Sequence, residues 1–517
     1  MRLIDTTTLE LHEFFSNFPL YAILSHTWGD DEVSFHEMSL PTRATKKGFI
    51  KIAKTCDIAR SHGFMFAWVD TCCIDKSSSA ELTEAINSMY QWYSNAVVCY
   101  VILEDLPIDG DIQESLAGCR WFSRGWTLQE LIAPKYVEFY DAGWNYQGSR
   151  TDFLQSISSC TRVPADALEG ILPPKSYSIA QRMSWAASRT TTRVEDMAYC
   201  LLGIFDVTMP LLYGEGLKAF RRFQEEIIKR NNDLTIFAWE TPEGYKEDIL
   251  GIFAPSPESF VDSKTVSFWN DFINFSATNK GLFISGDKPL RAIARVLDNE
   301  HSMYCLYLGV SELDEPFIKR GIYLRKIGPN LFYRDGRLPL ASFKANSVAK
   351  MEILHVPDYC VLTDPLPYST HGAIIVHSDF RQDALHVPLH ESLTVIDAVP
   401  ETLWDITDRT FLKPRPNTLN RYPMVLAIEL EGKFQGKYLQ LVAFCDYREE
   451  PPRCKLFWKS QFPRQEALVF PARNSGRSRS EAVFWTTLET EAPHILELSS
   501  KLEKRVGNEL ICVSAYF

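Results

Sequence analysis

At 517 residues the chain exceeds what one hydrophobic core usually serves, so two or three domains are expected. Its 45% hydrophobic, 13% aromatic and 23% charged residues supply an ample core, which excludes a largely disordered protein. The 54 basic and 66 acidic residues leave a net charge of -12, which excludes a surface built mainly to neutralise nucleic-acid phosphates, so no nucleic-acid partner is expected.

The chain opens Met1-Arg-Leu-Ile-Asp-Thr6, without the apolar core of a signal peptide, and no run approaches the roughly 20 apolar residues that span a bilayer. The first strand expected is Tyr21-Ala-Ile-Leu-Ser25, a compact apolar run that stops at a polar cluster. Phe49 to Ser61 reads as a helix with Ile52, Cys56 and Ala59 on one face and Gly63 as its stop. Phe64 to Val69 is a second strand ending at Asp70. Ser78 and Glu81 have the S-x-x-E spacing that caps a helix start, and Leu82, Ile86, Met89 and Tyr93 then recur at helical intervals. Val97 to Leu103 makes a third strand, Ser123 to Ile132 a short helix, and Tyr136 to Tyr140 a fourth strand. Strands alternating with helices imply a parallel sheet covered on both faces, and the expected fold is α/β doubly wound and flavodoxin-like.

From about 175 to 235 the pattern turns helical, over Ile179–Ser188, Glu195–Leu202 and Leu217–Lys229, the last with Phe220, Phe223 and Ile227 in line. Beyond about 245, runs such as Leu282–Ser285, Met303–Val310, Ala373–His377 and Met424–Leu430 alternate with Gly, Pro and Asp, and this half reads as β-rich and sandwich-like. The expected division is 1–165 for the α/β domain, 166–245 for a helical middle segment and 246–517 for the β-rich domain. Ser475-Gly-Arg-Ser-Arg479 reads as an exposed loop.

The twelve cysteines are scattered with no CxxC, and His386 and His390 are split by Pro388, so no metal is expected. Free thiols and the absent leader and membrane span point to a reducing, cytoplasmic location. No GxxxxGK[ST] phosphate loop occurs and no cofactor is implied.

In a doubly wound sheet, ligands bind beyond the carboxyl ends of the strands. Those ends deliver Ser25, His26, Trp28 and Asp30 from the first strand and Asp70, Cys72, Cys73 and Asp75 from the second. Glu104 and Asp105 follow the third, and Asp141 the fourth.

These clusters carry a family resemblance. Tyr21-Ala-Ile-Leu-Ser-His-Thr-Trp28, Ala67-Trp-Val-Asp-Thr-Cys-Cys-Ile-Asp75, Glu81-Leu-Thr-Glu-Ala-Ile-Asn-Ser-Met89 and Arg124-Gly-Trp-Thr-Leu-Gln-Glu130 resemble, in order, four motifs of the fungal HET (heterokaryon incompatibility) domain. Arg189-Thr-Thr-Thr-Arg-Val-Glu-Asp196 through Tyr213-Gly-Glu-Gly216 is similar to the helical region that follows HET in incompatibility proteins. The HET fold in turn distantly resembles Toll/interleukin-1 receptor (TIR) domains. Trp126-Thr-Leu-Gln-Glu130 followed by Val137-Glu-Phe-Tyr-Asp141 is similar to the TIR tryptophan-x-x-x-glutamate helix and its next strand.

The resemblance implies a self/non-self recognition protein that triggers programmed cell death. It also implies NAD as a substrate for glycohydrolysis, with Glu130 at the position of the catalytic glutamate of NAD-cleaving TIR domains. A carboxylate beside the ribose suits the positive charge that builds as the glycosidic bond breaks. Ser25, His26 and Asp70 are then candidates to orient ribose or phosphate, and Trp28 and Trp126 to stack on the base. The competing reading is a non-enzymatic module that assembles with protein partners, or with itself, through its surface.

Each residue also has a plainer role. Glu130 can pair with Arg124 or Lys135, Trp126 can be core, and His26 can be hydrogen-bonded within the core. Cys72 and Cys73 can be buried small apolar groups, Asp70 and Asp75 turn residues, and Glu81 and Glu84 helix-start acids. Arg189, Arg193, Glu195 and Asp196 read as structural ion pairs. Tyr213–Gly216 reads as a tight turn in preference to a phosphate cradle.

Overall fold

The computed structural model describes residues 1–242 apart from 109 and 111, and beyond them separate segments, most of them strands, between 249 and 516. Arg2–Asp5 (β1) and Leu11–Glu13 (β2) form an antiparallel hairpin whose turn holds Leu9 at φ 57. Tyr21–Ser25 (β3) is buried at all five positions. Phe49–Ser61 (α1), Phe66–Trp68 (β4), the single turn Asp70–Cys73 (α2) and Ser79–Asn95 (α3) follow. Val98–Ile102 (β5) is again buried throughout. The short helices Ile112–Ser115 (α4), Arg120–Ser123 (α5) and Thr127–Ile132 (α6) precede Val137–Tyr140 (β6) and Tyr146–Ser149 (β7).

These strands make one mixed sheet in the order β2-β1-β4-β3-β5-β6-β7. The four strands expected from the apolar runs are its parallel centre. Both edges are antiparallel, β1 against β4 and β7 against β6, which corrects the expectation of a parallel sheet. The edge strands are short and only partly buried, so they lack the continuous apolar run that marks a central strand.

From β3 the chain steps outward to β4 through α1, then back across β3 to β5 through α3. Parallel crossovers are right-handed, so these reversed steps set α1 and α3 on opposite faces. Connections leave β3 and β5 in opposite directions, and a crevice opens beyond their carboxyl ends.

Ser78 caps α3 by accepting the Glu81 amide at 3.4 Å. The Glu81 carboxylate does not complete a capping box; it accepts the Asp75 amide at 2.8 Å and pairs with Arg2. Asp75 itself holds the turn by accepting from the Ser77 amide at 2.9 Å. The helix expected over Ser123–Ile132 is interrupted at Arg124-Gly125, where the chain bridges Thr190. Gly125 N donates to Thr190 O at 2.8 Å, and Thr190 N donates to Ser123 O at 2.7 Å. A side chain at Gly125 would meet Thr191 Cγ2 at 2.5 Å, so only glycine permits this approach.

Six helices follow: Leu154–Thr161 (α7), Ala165–Leu168 (α8), Ile179–Ser184 (α9), Asp196–Tyr199 (α10), Leu202–Phe205 (α11) and Lys218–Ile228 (α12). The run expected over Glu195–Leu202 is thus split in two. Phe220, Phe223 and Ile227 of α12 are buried on one face, and α11 packs on α3.

Past 249 the described strands form a ten-stranded and an eleven-stranded sheet, mostly antiparallel. They include Gly281–Ser285, Met303–Glu312, Tyr368–Val376 and Val425–Phe434, and Pro388–Val399 carries His390. His386 and residues 475–479 lie outside the described residues. Among the described residues no helix is long and apolar enough to cross a membrane.

Candidate functional site

The crevice beyond β3 and β5 contains a cavity of about 310 Å³. The end of β3 brings His26 and Trp28 to it, and the first residue of α2 brings Asp70. Leu82, Ile86, Met89 and Tyr93 of α3 form an apolar wall. Arg124, Trp126, Thr127 and Glu130 come from α6 and its approach, and Arg193, Asp196 and Tyr213 from the following helical region. Ser25 is fully buried behind this surface and touches Glu130.

Glu130 is 8% exposed. Ser25 Oγ donates to its Oε2, while Trp121 Nε1 donates to Ser25 Oγ at 2.7 Å. The Tyr93 hydroxyl donates to the Leu24 carbonyl at 3.0 Å and lies beside Glu130, whose carboxylate form it favours. Among the described residues Glu130 has no ion pair: Lys135 lies over the Tyr136 ring, 5.3 Å from its centroid, and Glu130's partners are hydroxyls. Burial pushes the Glu130 carboxyl up from 4.5 to about 7; the Ser25 hydrogen bond opposes this and the charge of Asp70 adds to it.

Asp70 behaves in the opposite way. Burial alone would raise it, but Lys76, His26 and Trp28 outweigh that cost and hold it at about 2. His26 Nε2 lies 3.1 Å from Asp70 Oδ1, and Trp28 Nε1 donates to Oδ2 at 2.8 Å. One cavity therefore holds an ionised carboxylate and a second carboxyl that titrates near neutrality, a separation typical of sites that divide acid and base roles.

Lys51 organises the far side of His26. Its ammonium contacts Glu32 Oε1 at 2.6 Å, Glu104 Oε1 at 2.8 Å, the Thr27 carbonyl at 2.9 Å and His26 Nδ1 at 3.2 Å. His26 Nδ1 also lies 3.2 Å from the Thr27 carbonyl, so this ring nitrogen faces a donor and an acceptor while Nε2 faces Asp70. His26 is thus both hydrogen-bonded in the core and present at the cavity wall.

Trp28 is 45% exposed, with Lys76 Nζ 3.7 Å from its ring centroid. Trp126 is half-buried with its indole beside Asp196, and Asp196 accepts the Tyr213 hydroxyl at 2.9 Å. Cys72 and Cys73 are buried; the Cys73 sulfur and burial push the Cys72 thiol up, away from a reactive thiolate.

The expected ion pairs among Arg189, Arg193, Glu195 and Asp196 do not form. Arg189 Nη1 donates to the Arg124 carbonyl at 2.7 Å and to Thr127 Oγ1 at 2.9 Å, and Arg193 stacks on Tyr213 at 4.5 Å. Glu195 Oε1 accepts from the amides of Gly214 at 2.8 Å and Gly216 at 3.0 Å. Both glycines are left-handed, at φ 101 and 61, so the glycine turn cradles this chain's own carboxylate.

All six residues singled out from the sequence, Ser25, His26, Trp28, Asp70, Trp126 and Glu130, thus meet in one place. The sequence pattern gave Tyr93 only as an apolar helix residue and Tyr213 only as part of a turn, and it did not single out Trp121, Lys51 or Lys76.

Residues 21–110 match the family Heterokaryon incompatibility protein (HET), and residues 218–249 match Domain of unknown function (DUF8212). Vegetative incompatibility protein HET-E-1 of Podospora anserina is 47% identical over 241 residues, which make up 45% of this chain and 18% of that protein. The chain therefore spans less than a fifth of that relative's length. No solved structure matches.

Proposed function

We propose, on the premise that the chain belongs to the heterokaryon incompatibility (HET) family, that it is a fungal self/non-self recognition protein whose N-terminal domain kills the cell by cleaving NAD. The central strands run second, first, third, fourth, the order of flavodoxin-like sheets, which supports the TIR-like reading of the domain. Eight cysteines, all between Cys56 and Cys305, are free thiols, which supports a cytoplasmic setting.

The observation that carries the reading is the Glu130 carboxyl, lining a closed-in cavity and held by the Ser25 hydroxyl instead of by an arginine or lysine. In the proposed reaction the bond between the nicotinamide nitrogen and ribose C1′ breaks, and its electron pair leaves with nicotinamide. Glu130 stabilises the positive charge left on the ribose, and water adds at C1′ and releases a proton. The products are nicotinamide, ADP-ribose and a proton. The pyridinium of bound NAD favours the ionised carboxylate, drawing Glu130 down from its raised value. Trp28 and Trp126 offer ring faces to the base, and Asp70 adds a second negative charge beside the developing cation.

Expression of the chain in yeast tests this. Growth arrest with falling NAD is expected for the wild type, and neither for Glu130→Gln. Toxicity at constant NAD overturns the enzymatic reading in favour of assembly through protein contacts. Full NAD loss with Glu130→Gln overturns the assignment of Glu130.

A further inference from the structure

The cavity changes character with depth. Glu130 is buried, Trp126 and Arg124 are half-buried, and Trp28 and Arg193 are exposed, so an acidic interior leads past aromatic walls to a basic mouth. Among the described residues neither Arg124 nor Arg193 takes part in an ion pair. The charge of Arg193 is felt by Glu195 and Asp196, but neither acid pairs with it directly: Glu195 accepts from the Gly214 and Gly216 amides and Asp196 from the Tyr213 hydroxyl. Stacking on Tyr213 leaves the edge of the Arg193 guanidinium free to donate.

A guanidinium presents a fixed fork of donors that matches phosphate oxygens, and Arg124 and Arg193 both line this cavity. At about 310 Å³ the cavity lies at the lower end of ligand-pocket sizes, near 300 Å³. That is room for a ring and a ribose, with the rest of a dinucleotide left outside.

We infer that Arg124 and Arg193 form a phosphate subsite at the mouth of the cavity, so that its ligand is a nucleotide whose ribose reaches Glu130 while its phosphate stays at the opening. This rests on the reading of the cavity as a nucleotide site. It adds a requirement that catalysis alone does not impose: the ligand must carry phosphate. The subsite is assembled from both sides, Arg124 from the approach to α6 and Arg193 from the helical region, and the Gly125–Thr190 hydrogen bond at 2.8 Å holds the two sides together.

Calorimetric titration of the full chain with nicotinamide mononucleotide and with nicotinamide riboside tests this without requiring turnover. The wild type should bind the mononucleotide at least about tenfold more tightly, as a charge-assisted hydrogen bond supplies. Arg193→Gln and Arg124→Gln should each reduce that preference, and the double variant should abolish it, with riboside affinity unchanged throughout. The inference is overturned if the wild type binds both equally, or if the preference survives in the double variant; riboside binding without a phosphate preference overturns it alone. If the wild type binds neither compound, the nucleotide reading of the cavity falls with it.

Discussion

Ser25 donates its hydroxyl hydrogen to Glu130, a residue 105 positions later, and this contact joins the end of β3 to α6 at the inner wall of the cavity. The serine is itself fixed by the Trp121 indole, so the carboxyl is aimed by a chain of donors that begins in the core. Removing that donor leaves burial and the Asp70 charge to act on Glu130 unopposed by Ser25. In Ser25→Ala the pH at which nicotinamide release reaches half its plateau should rise by about one unit, the worth of one hydrogen bond to a charged group. A pH profile of kcat/KM for the two proteins checks this.

Glu130 should also reveal itself in stability. Its folded pKa of about 7 lies above the ordinary 4.5, so the folded chain holds this proton more tightly than the unfolded chain. The resulting stabilisation is complete below about 4.5 and is lost as pH rises through 7, to an extent of roughly 3 kcal/mol. Glu130→Gln, which cannot titrate, should lack this slope and should be more stable than the wild type at pH 8. Urea denaturation at pH 5 and pH 8 measures both effects, and a wild-type chain equally stable at the two values would contradict them.

Lys51 sits between Glu32 and Glu104, both near its ammonium, and behind His26. Lys51→Met would leave the partly buried Glu32 without its counter-charge and Glu104 with only Arg120, 3.9 Å away, at a cost on the order of 3 kcal/mol. The urea midpoint should fall accordingly, and replacing Glu32 by Gln in the same chain should restore part of the loss.

Gly125 is the hinge of the wall. Gly125→Ala places a methyl group against Thr191 and Cys200 and forces residues 189–200 away from the approach to α6, a cost of about 1–3 kcal/mol. Because Arg193 and Asp196 ride on that segment, the melting temperature and nucleotide affinity should fall together in this variant. An alanine chain that melts lower but binds unchanged would mean that the segment does not shape the cavity.

The parallel centre of the sheet was legible because strands buried on both faces must be continuously apolar, as Tyr21–Ser25 and Val98–Ile102 are. α1 and α3 were legible from apolar periodicity and from the Ser78 cap. The antiparallel strands that flank this centre, Arg2–Asp5 and Tyr146–Ser149, carry no such run. At the site, strand-end position located Ser25, His26, Trp28 and Asp70. It said nothing of Tyr93, whose spacing marks it as an apolar helix residue while its hydroxyl reaches Glu130. Arg193 and Tyr213 close the cavity through contacts between segments far apart in the chain, and local pattern does not encode such contacts. Tyr213–Gly216 read as a tight turn in preference to a phosphate cradle; that its glycine amides hold the Glu195 carboxylate is not disclosed by spacing alone.

The most direct measurement is nicotinamide release from NAD by the purified full chain, followed with time for the wild type and Glu130→Gln. Release stoichiometric with ADP-ribose is expected in the wild type, with kcat/KM rising with pH through about 7, and a loss of at least about a hundredfold in Glu130→Gln, the scale on which a removed electrostatic stabiliser acts. Equal release by the two proteins, or none by the wild type, would contradict this expectation.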